Sequence, residues 1–471
     1  MSDITAVLLA AGHGTRMKSD LIKVMHPLAG KPMIGHIVDN VRRAGLEDIV
    51  VVVGYQQERI REYLGDRVRY AVQSEQLGTG HAVLQAAGLI DETEGGHVLV
   101  MYGDNPFIGP ELIERLIRAH VEADAAASLL TAELADPGAL GRILRDPATG
   151  AFLGSVEYKD ATPEQRRIRE IWTGVAVFRR AGFTALLNRL DRNNAQGEYY
   201  LPQVWEILLQ RGEKVQALLL ASEEDALAPN DRVELARAEA RLRRQINERH
   251  MRNGVTIINP DATYIDEDVE IGRDTVIWPF TFIHGKTVIG PHCKIGPMTT
   301  IVSSTVAEGC VVEQSVVEES YVGPGCRIGP MAHLRPGCEL EGAAEIGNYA
   351  ELKKAKVGRG VKCHHHSYLG DATIGAGANI GAGTITANYN GVEKFRTEIG
   401  SGAFIGTNVN LIAPITVGDG ALIAAGSTVG PRLEIPADAL VVERAQAVIK
   451  EGRAASLKEA WRQRKMNREG T

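Results

Sequence analysis

The stretch "IGRDTVIWPFTFIHGKTVIGPHCKIG", residues 271–296, decides the fold of the C-terminal half of the chain. An isoleucine followed by glycine occurs in it at Ile271, Ile289 and Ile295, at separations of eighteen and six residues. The pairing of an aliphatic residue with glycine recurs at Ile328, Ile346, Ile374, Ile380, Ile399, Ile405 and Val417. A hexapeptide period of this kind is the sequence signature of a parallel β-helix.

Each group of six residues is expected to form one short strand and a corner, with three strands in each coil. The aliphatic residue then points inward, and the glycine after it permits a tight turn. We predict a left-handed parallel β-helix of hexapeptide repeats over residues 251–442, followed by a basic tail at 443–471. Prisms of this kind commonly associate around a threefold axis, so we expect a homotrimer with clefts between its subunits.

The first 228 residues follow a different pattern. Short apolar runs, "ITAVLLA" (4–10), "DIVVVVG" (48–54) and "HVLVMYGD" (97–104), alternate with amphipathic segments such as 32–44. Near-continuous apolar strands separated by helices indicate an α/β domain, with a mostly parallel, Rossmann-like sheet covered on both faces. This domain is predicted to span residues 1–228.

A helix is predicted to connect the two halves over residues 229–250. Its helical pattern runs from Asn230, and we expect one buried stripe made of Val233, Leu235, Leu242 and Ile246.

Composition narrows the function classes. A net charge of −7 over 471 residues gives no general attraction to nucleic acid or to anionic lipid. Because the chain has neither a signal-peptide pattern nor an apolar run near the roughly 20 residues that span a bilayer, we expect a cytoplasmic protein without membrane insertion. The odd number of cysteines, without a C-x-x-C pair, favours small buried hydrophobes over a disulfide framework: Cys293, Cys310, Cys326, Cys338 and Cys363.

A glycine-rich loop follows the first apolar run, in "LLAAGHGTRMKSDLIKV" (8–24). Gly12 and Gly14 allow backbone N–H groups to approach a phosphate closely, and Arg16 and Lys23 add positive charge. The loop fits neither G-x-G-x-x-G nor a Walker A motif. The glycines alone also fit a simple strand-to-helix turn, but the two cations favour phosphate binding.

Two further segments carry polar groups near the expected strand ends. In "QSEQLGTGHA" (73–82), Gln73 and Gln76 either read a base edge or cap a helix that starts near Thr79. Asp104 ends an apolar strand in "YGDNP", where open α/β sheets bind their ligands. Its carboxylate either holds Mg²⁺ against phosphate oxygens or caps a helix.

The motifs "LAAGHGTRM", "QLGTGHA", "YGD" and "NAQGEYY" (194–200), in this order, resemble those of sugar nucleotidyltransferases. Joined to a hexapeptide prism, they are similar to the bacterial bifunctional N-acetylglucosamine-1-phosphate uridyltransferases/glucosamine-1-phosphate acetyltransferases. The resemblance implies acetyl transfer from acetyl-CoA to glucosamine 1-phosphate. It also implies uridylyl transfer from UTP to N-acetylglucosamine 1-phosphate, which gives UDP-N-acetylglucosamine and pyrophosphate.

For the uridyl site, the resemblance implies a set of nucleotide- and sugar-phosphate-binding residues: Leu9, Ala10, Gly12, Gly14, Arg16, Lys23, Gln73, Gln76, Gly78, Thr79, Gly141 and Glu157. It also implies that Asp104 and Asn230 hold Mg²⁺. The sequence departs from the family at several positions. The most relevant is Trp172, which replaces the sugar-contacting asparagine of the family's Glu-Ile-Asn-Thr-Gly. Two other functions therefore stay open. One is a nucleotidyltransferase for another hexose 1-phosphate, with the prism used only for oligomerisation or regulation. The other is a trimeric scaffold with a degenerate nucleotide domain, although Arg16, Lys23 and Asp104 are all present.

The segment "VKCHHHSYLG" (361–370) contains three consecutive histidines. The six-residue register places Cys363 inside the prism and His364, His365 and His366 around a corner, where they project outward. Adjacent corner residues diverge, which disfavours a metal site. The resemblance implies that His365 is the general base of acetyl transfer, since a neutral imidazole can accept a proton near neutral pH. An acetyl-cysteine intermediate on Cys363 is disfavoured because a buried thiol resists ionisation.

The remaining acetyltransferase residues also come from the resemblance. The substrate residues are Arg335, Lys353, Tyr368 and Asn379, of which the cations would pair with a sugar phosphate. The hexapeptide spacing breaks after Thr384, and residues 386–396 are predicted to form a loop that leaves the prism. The acetyl-CoA residues are Ala382, Asn388, Tyr389, Lys394, Thr407, Ala425 and Arg444, with the contacts of the loop made across a subunit interface.

Overall fold

The computed structural model describes residues 3–91, 96–219, 222–443 and 448–469. The chain divides into two compact units, Met1–Ile246 and Asn247–Thr471. Among the described residues, no helix is both long and apolar enough to cross a membrane.

The first unit is built on a seven-stranded sheet. Its described strands are β1 (Ile4–Ala10), β2 (Pro27–Leu28), β3 (Lys31–Pro32), β4 (Ile49–Val53), β5 (Arg69–Val72), β6 (His97–Tyr102), β7 (Ala127–Glu133), β8 (Arg142–Arg145), β9 (Phe152–Val156), β10 (Glu170–Arg179) and β11 (Val215–Leu219). The sheet has the order β11-β7-β10-β6-β1-β4-β5, and β2-β3 and β8-β9 form separate pairs. Only β10 runs antiparallel to its neighbours in the described sheet, so the prediction of a mostly parallel sheet is confirmed.

Helices cover both faces of this sheet. They are α1 (Met33–Arg43), α2 (Gln57–Leu64), α3 (Thr79–Gln85), α4 (Ala87–Asp91), α5 (Pro110–Glu122), α6 (Phe183–Leu187) and α7 (Gln203–Gln210). A further helix, α8 (Arg232–Arg252), begins in the first unit and ends in the second. Short 3₁₀ turns lie at Thr15–Met17, Lys23–Met25, Gly65–Arg67, Gln165–Arg167 and Glu223–Ala226.

The sequence of the central strands explains why both faces are covered. Along β1, Leu8 belongs to one buried apolar cluster and Val7 to another. The same alternation occurs in β4, where Val51 and Val50 fall into the two different clusters. Because successive side chains of a strand point to opposite faces, an uninterrupted apolar run needs a helix layer on each side.

Helix α8 confirms most of the predicted apolar stripe. Leu235 and Leu242 pack against a buried cluster that contains Ala238, and Ile246 is buried. The prediction for Val233 is wrong, since its side chain is 61% exposed. Residues two positions apart on a helix point in different directions, so Val233 and Leu235 cannot share one face.

The second unit is a three-faced prism of parallel strands. Face A contains Thr256–Ile257, Val276–Ile277, Lys294–Ile295, Val311–Val312, Arg327–Ile328, Glu345–Asn348, Lys362–His365, Asn379–Ile380, Phe404–Ile405, Leu422–Ile423 and Leu440–Val441. Face B contains Thr263–Ile265, Thr281–His284, Thr300–Val302, Val316–Glu318, His333–Leu334, Glu351–Lys353, Tyr368–Gly370, Ile385–Ala387, Asn410–Ile412 and Thr428–Val429. Face C contains Glu270–Ile271, Val288–Ile289, Thr305–Val306, Tyr321–Val322, Glu339–Leu340, Lys356–Val357, Ala372–Ile374, Thr397–Ile399, Ile415–Val417 and Glu434–Ile435.

Each face is a stack in register, so the chain visits the three faces in turn. Ile277 pairs with Ile295 on face A, Ile283 with Ile301 on face B, and Ile271 with Ile289 on face C. The predicted parallel β-helix is therefore confirmed. A 3₁₀ turn at Pro260–Ala262 lies near its start, and helix α9 (Arg453–Glu469) follows it.

At most repeats, the glycine after the inward aliphatic residue has a different role from the predicted one. Among the repeats named above, only Gly296 and Gly329 have the positive φ of a tight turn, at +93° and +108°. At Gly290, a Cβ would lie 2.7 Å from the backbone nitrogen of Glu308 in the next coil. At Gly272, it would lie 2.5 Å from the nitrogen of Pro291. Neither glycine has the positive φ that a tight turn demands. The close approach of the next coil therefore selects glycine at these positions.

The loop predicted after Thr384 begins later than expected. Ile385–Ala387 is a face B strand, and Thr386 is fully buried. The hydroxyl of Thr386 accepts a hydrogen bond from the backbone N–H of Gly370 at 2.8 Å, which ties the segment to the previous coil. The loop that leaves the prism is thus confined to residues between this strand and Thr397–Ile399.

Candidate active sites

A cavity of about 370 Å³ opens in the first unit beside β1 and β6. It collects most of the predicted nucleotide and metal residues: Leu9, Ala10, Gly12, Gly14, Arg16, Lys23, Gln73, Gln76, Gly78, Thr79, Asp104 and Asn230. Five further residues, to which the sequence motifs assign no role, line it as well: Ala11, Val24, Ala82, Tyr102 and Glu198. The volume suits a nucleotide-sized ligand.

The glycine-rich loop is shaped by one left-handed residue. Gly14 has φ +66°, and a Cβ there would collide with the side chain of Lys23. Glycine therefore allows the loop to fold back over the 3₁₀ turn that carries Lys23. This brings the two cations of the loop, Arg16 and Lys23, to the same cavity.

Both cations contact the residues expected to hold Mg²⁺. The Nζ of Lys23 lies 2.5 Å from Oδ2 of Asp104 and 2.7 Å from Oδ1 of Asn230. Nη2 of Arg16 donates to the same Asn230 oxygen at 2.7 Å. Glu234 fixes Asn230, because its carboxylate accepts a hydrogen bond from the Asn230 backbone N–H at 2.7 Å. The helix-cap interpretation of Asp104 is wrong, since its carboxylate bonds Lys23 and the N-cap of α5 is Gly109.

Asp104 and Asn230 fit a small hard cation. Oδ1 of Asp104 is buried and has no hydrogen-bond partner among the described residues. The two side chains offer oxygen ligands, which Mg²⁺ prefers, and Mg²⁺ usually keeps several waters and substrate phosphates beside one or two carboxylates. The described part of the chain has no cluster of three or more His, Cys, Asp or Glu side chains that could hold a metal. Asp104 and Asn230 would therefore supply only part of the coordination of Mg²⁺, and phosphate oxygens of a bound nucleotide would supply more of it.

The two glutamines hold the cavity wall. Nε2 of Gln76 donates to the carbonyl of Ala11 at 2.7 Å, and Nε2 of Gln73 donates to the carbonyl of Gly78 at 3.2 Å. The helix-cap interpretation of the glutamines is wrong, because Gly78 caps α3 without a side-chain hydrogen bond.

Gly141 and Glu157 lie together but outside the cavity lining. A Cβ on Gly141 would be 3.4 Å from Oε2 of Glu157. Burial raises the pKa of the Glu157 carboxyl, and Asp160 and Glu198 add to the effect. Burial also raises the pKa of Tyr102, with Glu157 as the next contribution. Glu157, Glu198 and Tyr102 thus form an acidic and aromatic region. Two of its members, Tyr102 and Glu198, line the same cavity as Arg16 and Lys23.

In the second unit, one corner of the prism carries four of the predicted acetyltransferase residues. His365, Ala382, Thr407 and Ala425 each lie two residues after an inward side chain of face A. Those inward residues pair in register from coil to coil: Cys363 with Ile380, Ile380 with Ile405, and Ile405 with Ile423. The proposed base and three acetyl-CoA positions therefore form one column along the corner between faces A and B.

The neighbours of His365 have separate environments. Cys363 is fully buried, and burial raises the pKa of its thiol to about 11, which makes it a poor nucleophile. His364 forms a hydrogen bond with the Glu345 carboxylate through Nε2 at 2.8 Å, although its side chain is 44% exposed. His366 turns the corner with φ +40°, and its side chain and that of His365 are exposed.

A group of cations lies on the neighbouring face B. The ammonium of Lys394 lowers the pKa of Lys353, and Arg335 acts in the same direction. Arg335 is held by Glu351, whose Oε1 accepts from Nη1 at 2.9 Å. Like charges held this close provide a site for an anion. The sequence pattern does not indicate this contact between Lys394 and Lys353 of the same chain.

The other predicted acetyltransferase residues lie on faces A and B and on the loop. Tyr368 leans over Gly370, where a Cβ would collide with its hydroxyl, and Asn379 lies on face A. On the loop, Nδ2 of Asn388 donates to Oδ2 of Asp371 at 2.5 Å, while Tyr389 is 58% exposed. Arg444 lies outside the described residues.

The first unit has a nucleotide-sized cavity on a mostly parallel sheet, and the second is a hexapeptide prism with a corner that carries cations and an imidazole. These features define a nucleotidyltransferase fused to a hexapeptide-repeat transferase. Family models agree with both halves. Residues 6–188 match a MobA-like NTP transferase domain, residues 268–303 and 396–431 match bacterial transferase hexapeptide repeats, and residues 291–374 match a GlmU-like C-terminal hexapeptide. The prism is accordingly a left-handed β-helix of hexapeptide repeats.

Three relatives are each called bifunctional protein GlmU. The one from Halalkalibacterium halodurans is 48% identical over 451 residues, covering 96% of this chain and 98% of the relative. Those from Geobacillus sp. and Listeria innocua are 48% and 47% identical, covering 95% and 97% of this chain and 96% and 99% of the relatives. The chain belongs to the GlmU family of bifunctional transferases.

Proposed function

We propose that this bifunctional transferase makes UDP-N-acetylglucosamine in two steps at separate sites. Acetyl transfer from acetyl-CoA to glucosamine 1-phosphate precedes uridylyl transfer from UTP to N-acetylglucosamine 1-phosphate. One observation carries the proposal: the same chain has a cationic nucleotide cavity in its first unit and a corner column with an exposed imidazole in its second.

In uridylyl transfer, Arg16 and Lys23 neutralise the triphosphate, and the backbone of the glycine-rich loop allows it to approach closely. A phosphate oxygen of the sugar phosphate attacks the α-phosphorus in line, and the bond to pyrophosphate breaks. Mg²⁺ held by Asp104 and Asn230 would supply charge neutralisation for the phosphate oxygens. No side chain becomes a covalent intermediate, so the residues act by positioning and electrostatics.

The region around Tyr102 and Glu198 supports binding of the uncharged sugar. Carboxylates repel phosphate but accept hydrogen bonds from sugar hydroxyls. Glu157, beside Gly141, lies in the same acidic region. The sugar ring is therefore assigned to this side of the cavity and the triphosphate to the side of Arg16 and Lys23.

In acetyl transfer, His365 removes a proton as the amine of glucosamine 1-phosphate attacks the thioester carbon. The new C–N bond forms, the C–S bond breaks, and the sulfur of CoA leaves as a thiolate that takes up a proton. Arg335, Lys353 and Lys394 hold the sugar phosphate, with Tyr368 and Asn379 at its hydroxyls. CoA lies along the column of Ala382, Thr407 and Ala425, near Asn388 and Tyr389.

The working form is a homotrimer in the cytoplasm. Support for association comes from a column of exposed apolar side chains at the same corner, interrupted by Gln314 between Met298 and Met331: Phe280, Met298, Met331 and Tyr349, which are 59%, 55%, 47% and 65% exposed. Each lies three residues after an inward residue of face A, and the same position in the next coil is His366. Sedimentation equilibrium of the purified chain tests the trimer, and a monomer would contradict it.

The function is tested with one purified protein and one reaction mixture. Glucosamine 1-phosphate, acetyl-CoA, UTP and Mg²⁺ should yield free CoA, pyrophosphate and UDP-N-acetylglucosamine. Leaving out acetyl-CoA should stop the formation of UDP-N-acetylglucosamine. Pyrophosphate release with another hexose 1-phosphate, without any release of CoA, would instead favour the alternative of a nucleotidyltransferase with a purely structural prism.

A further inference from the structure

We propose that Lys23 is an internal counter-cation that occupies the position of the divalent cation until the cation binds. Binding is then an exchange, in which the ammonium of Lys23 leaves Asp104 and Asn230 and turns onto the triphosphate. This inference rests on the proposed nucleotidyl transfer and adds a positioning role for Lys23 that precedes the chemistry.

The geometry of the ammonium carries the proposal. Its nitrogen lies 2.7 Å from Oδ1 of Asn230, the one oxygen that this side chain can offer a metal, and 2.5 Å from Oδ2 of Asp104, beside the unpartnered Oδ1 of the same carboxylate. The Lys23 side chain is only 10% exposed, so the ammonium lies within the wall of the cavity. A divalent cation held by the Asn230 oxygen and the Asp104 carboxylate would lie close to this positive charge, and the repulsion would be strong in so sheltered a place. Both cannot stay.

The surroundings determine which of the two moves. Asn230 is fixed by Glu234, which accepts hydrogen bonds from its backbone N–H at 2.7 Å and from its Nδ2 at 3.3 Å. The Asn230 oxygen therefore stays directed at the site. Lys23 carries its charge on a flexible four-carbon stem, which can turn to another anion without movement of the backbone. The triphosphate of UTP lies beside it in the proposed complex.

The exchange couples the two ligands. Without a divalent cation, Lys23 is neutralised by Asp104 and offers little to a phosphate. When the cation replaces it, the ammonium becomes available to the triphosphate, so each ligand favours the binding of the other. The metal thereby frees a phosphate-binding charge in addition to any direct contact.

Binding of Mn²⁺ to the full chain without nucleotide tests the exchange, followed by the electron paramagnetic resonance signal of free Mn²⁺. Lys23→Met removes the competing ammonium and leaves the Asp104 carboxylate without its partner. The variant should bind Mn²⁺ at least about tenfold more tightly, the equivalent of one lost charge-assisted contact. Lys18→Met is the matched control, because it removes one exposed lysine of the same loop, and its affinity should match the wild type. Equal or weaker binding by Lys23→Met would overturn the proposal.

A second measurement uses the wild-type chain and does not depend on a variant that folds. Amine acylation followed by peptide mass spectrometry reports the accessibility of each lysine. Labelling of Lys23 should rise when saturating Mn²⁺ is added without nucleotide, while labelling of Lys18 stays constant. Unchanged labelling of Lys23 would contradict the exchange. If the wild type makes UDP-sugar but both metal measurements fail, only the exchange is wrong; if it makes no UDP-sugar, the proposed function itself is wrong.

Discussion

The indole nitrogen of Trp172 donates a hydrogen bond to the backbone carbonyl of Val175 at 2.8 Å. The two residues flank an irregularity in the pairing of β10 with β7. The ring packs edge-on against Tyr102 and Trp205, with centroids 5.2 and 5.0 Å away. The only hydrogen-bond donor of the Trp172 side chain is thus occupied by a carbonyl of its own strand. Its ring packs against Tyr102, which lines the cavity.

Substitution of this tryptophan by phenylalanine should leave sugar preference unchanged. Trp172→Phe keeps an aromatic ring beside Tyr102 and loses only the bond to Val175, at a cost of about 1 kcal/mol of stability. The ratio of kcat/KM for N-acetylglucosamine 1-phosphate and glucose 1-phosphate should stay within about twofold of the wild type. A larger change in that ratio would show that the indole N–H contacts the sugar.

The cation group on face B should determine the affinity for the acetyl acceptor. Lys353→Met and Lys394→Met should each raise KM for glucosamine 1-phosphate by about tenfold or more, the value of one charge-assisted hydrogen bond. KM for acetyl-CoA should respond more to Lys394, which is on the loop, than to Lys353. Lys356→Met is the matched control, since this lysine is on face C and pairs with Glu339. If the control raises KM equally, the effect is one of net charge.

Several features of the fold could be predicted because they depend on local pattern. The spacing of Ile271, Ile289 and Ile295 is a direct consequence of the coil, and the register places Cys363 inside it. The cavity residues could also be predicted as a group, since parallel strands bring the segments that follow them to one edge of the sheet.

Other features depend on contacts between distant segments, which pattern does not encode. Glu198 reaches the cavity because the backbone of Tyr199 pairs with Leu77 at 2.8 Å and brings its segment alongside Gly78. Lys394 meets Lys353 only because the loop folds back, with Phe395 bonded to Asn388. The hexapeptide pattern alone assigns Gly290 to a turn, because the next coil, which excludes a Cβ there, is eighteen residues away in the chain.

Replacement of a repeat glycine by alanine should show whether the close approach of the next coil, rather than a tight turn, selects glycine. Gly290→Ala would place a Cβ 2.7 Å from the nitrogen of Glu308, and should cost about 1–3 kcal/mol of stability as overpacking. Gly430→Ala is the matched control, because no atom lies within 4 Å of its Cβ position. Thermal unfolding of both variants compares them. Equal melting temperatures would show that the coils can separate without cost.

A buried histidine of the first unit, His120, should make stability depend on pH. His120 is fully buried, bonding His97 at 3.1 Å and Ser128 at 2.8 Å. Burial lowers the pKa of His120 to about 4, with His97 and Arg179 adding to the effect. Since folding favours the neutral ring, its contribution is complete above the unfolded pKa of about 6.5 and is lost as the pH falls from there toward 4, by roughly 3 kcal/mol in all.

Urea unfolding of the first unit at a series of pH values measures this loss. His120→Asn should flatten the decline of stability between pH 6.5 and 4, although it lowers stability at pH 7.5. His13→Gln is the control, because His13 is exposed and its substitution should leave the slope as in the wild type. An unchanged slope in His120→Asn would rule out this histidine as the source of the pH dependence.

The central claim is that two reactions take place at two separate sites of one chain, and paired variants measured in the same assays test it most directly. His365→Ala should reduce CoA release from glucosamine 1-phosphate and acetyl-CoA by about 10²–10⁴-fold, as expected for a lost general base, and should leave pyrophosphate release from UTP and N-acetylglucosamine 1-phosphate unchanged. Asp104→Asn should do the reverse. If His365→Ala retains acetyl transfer, or if either variant reduces both reactions equally, the account of two independent sites is contradicted.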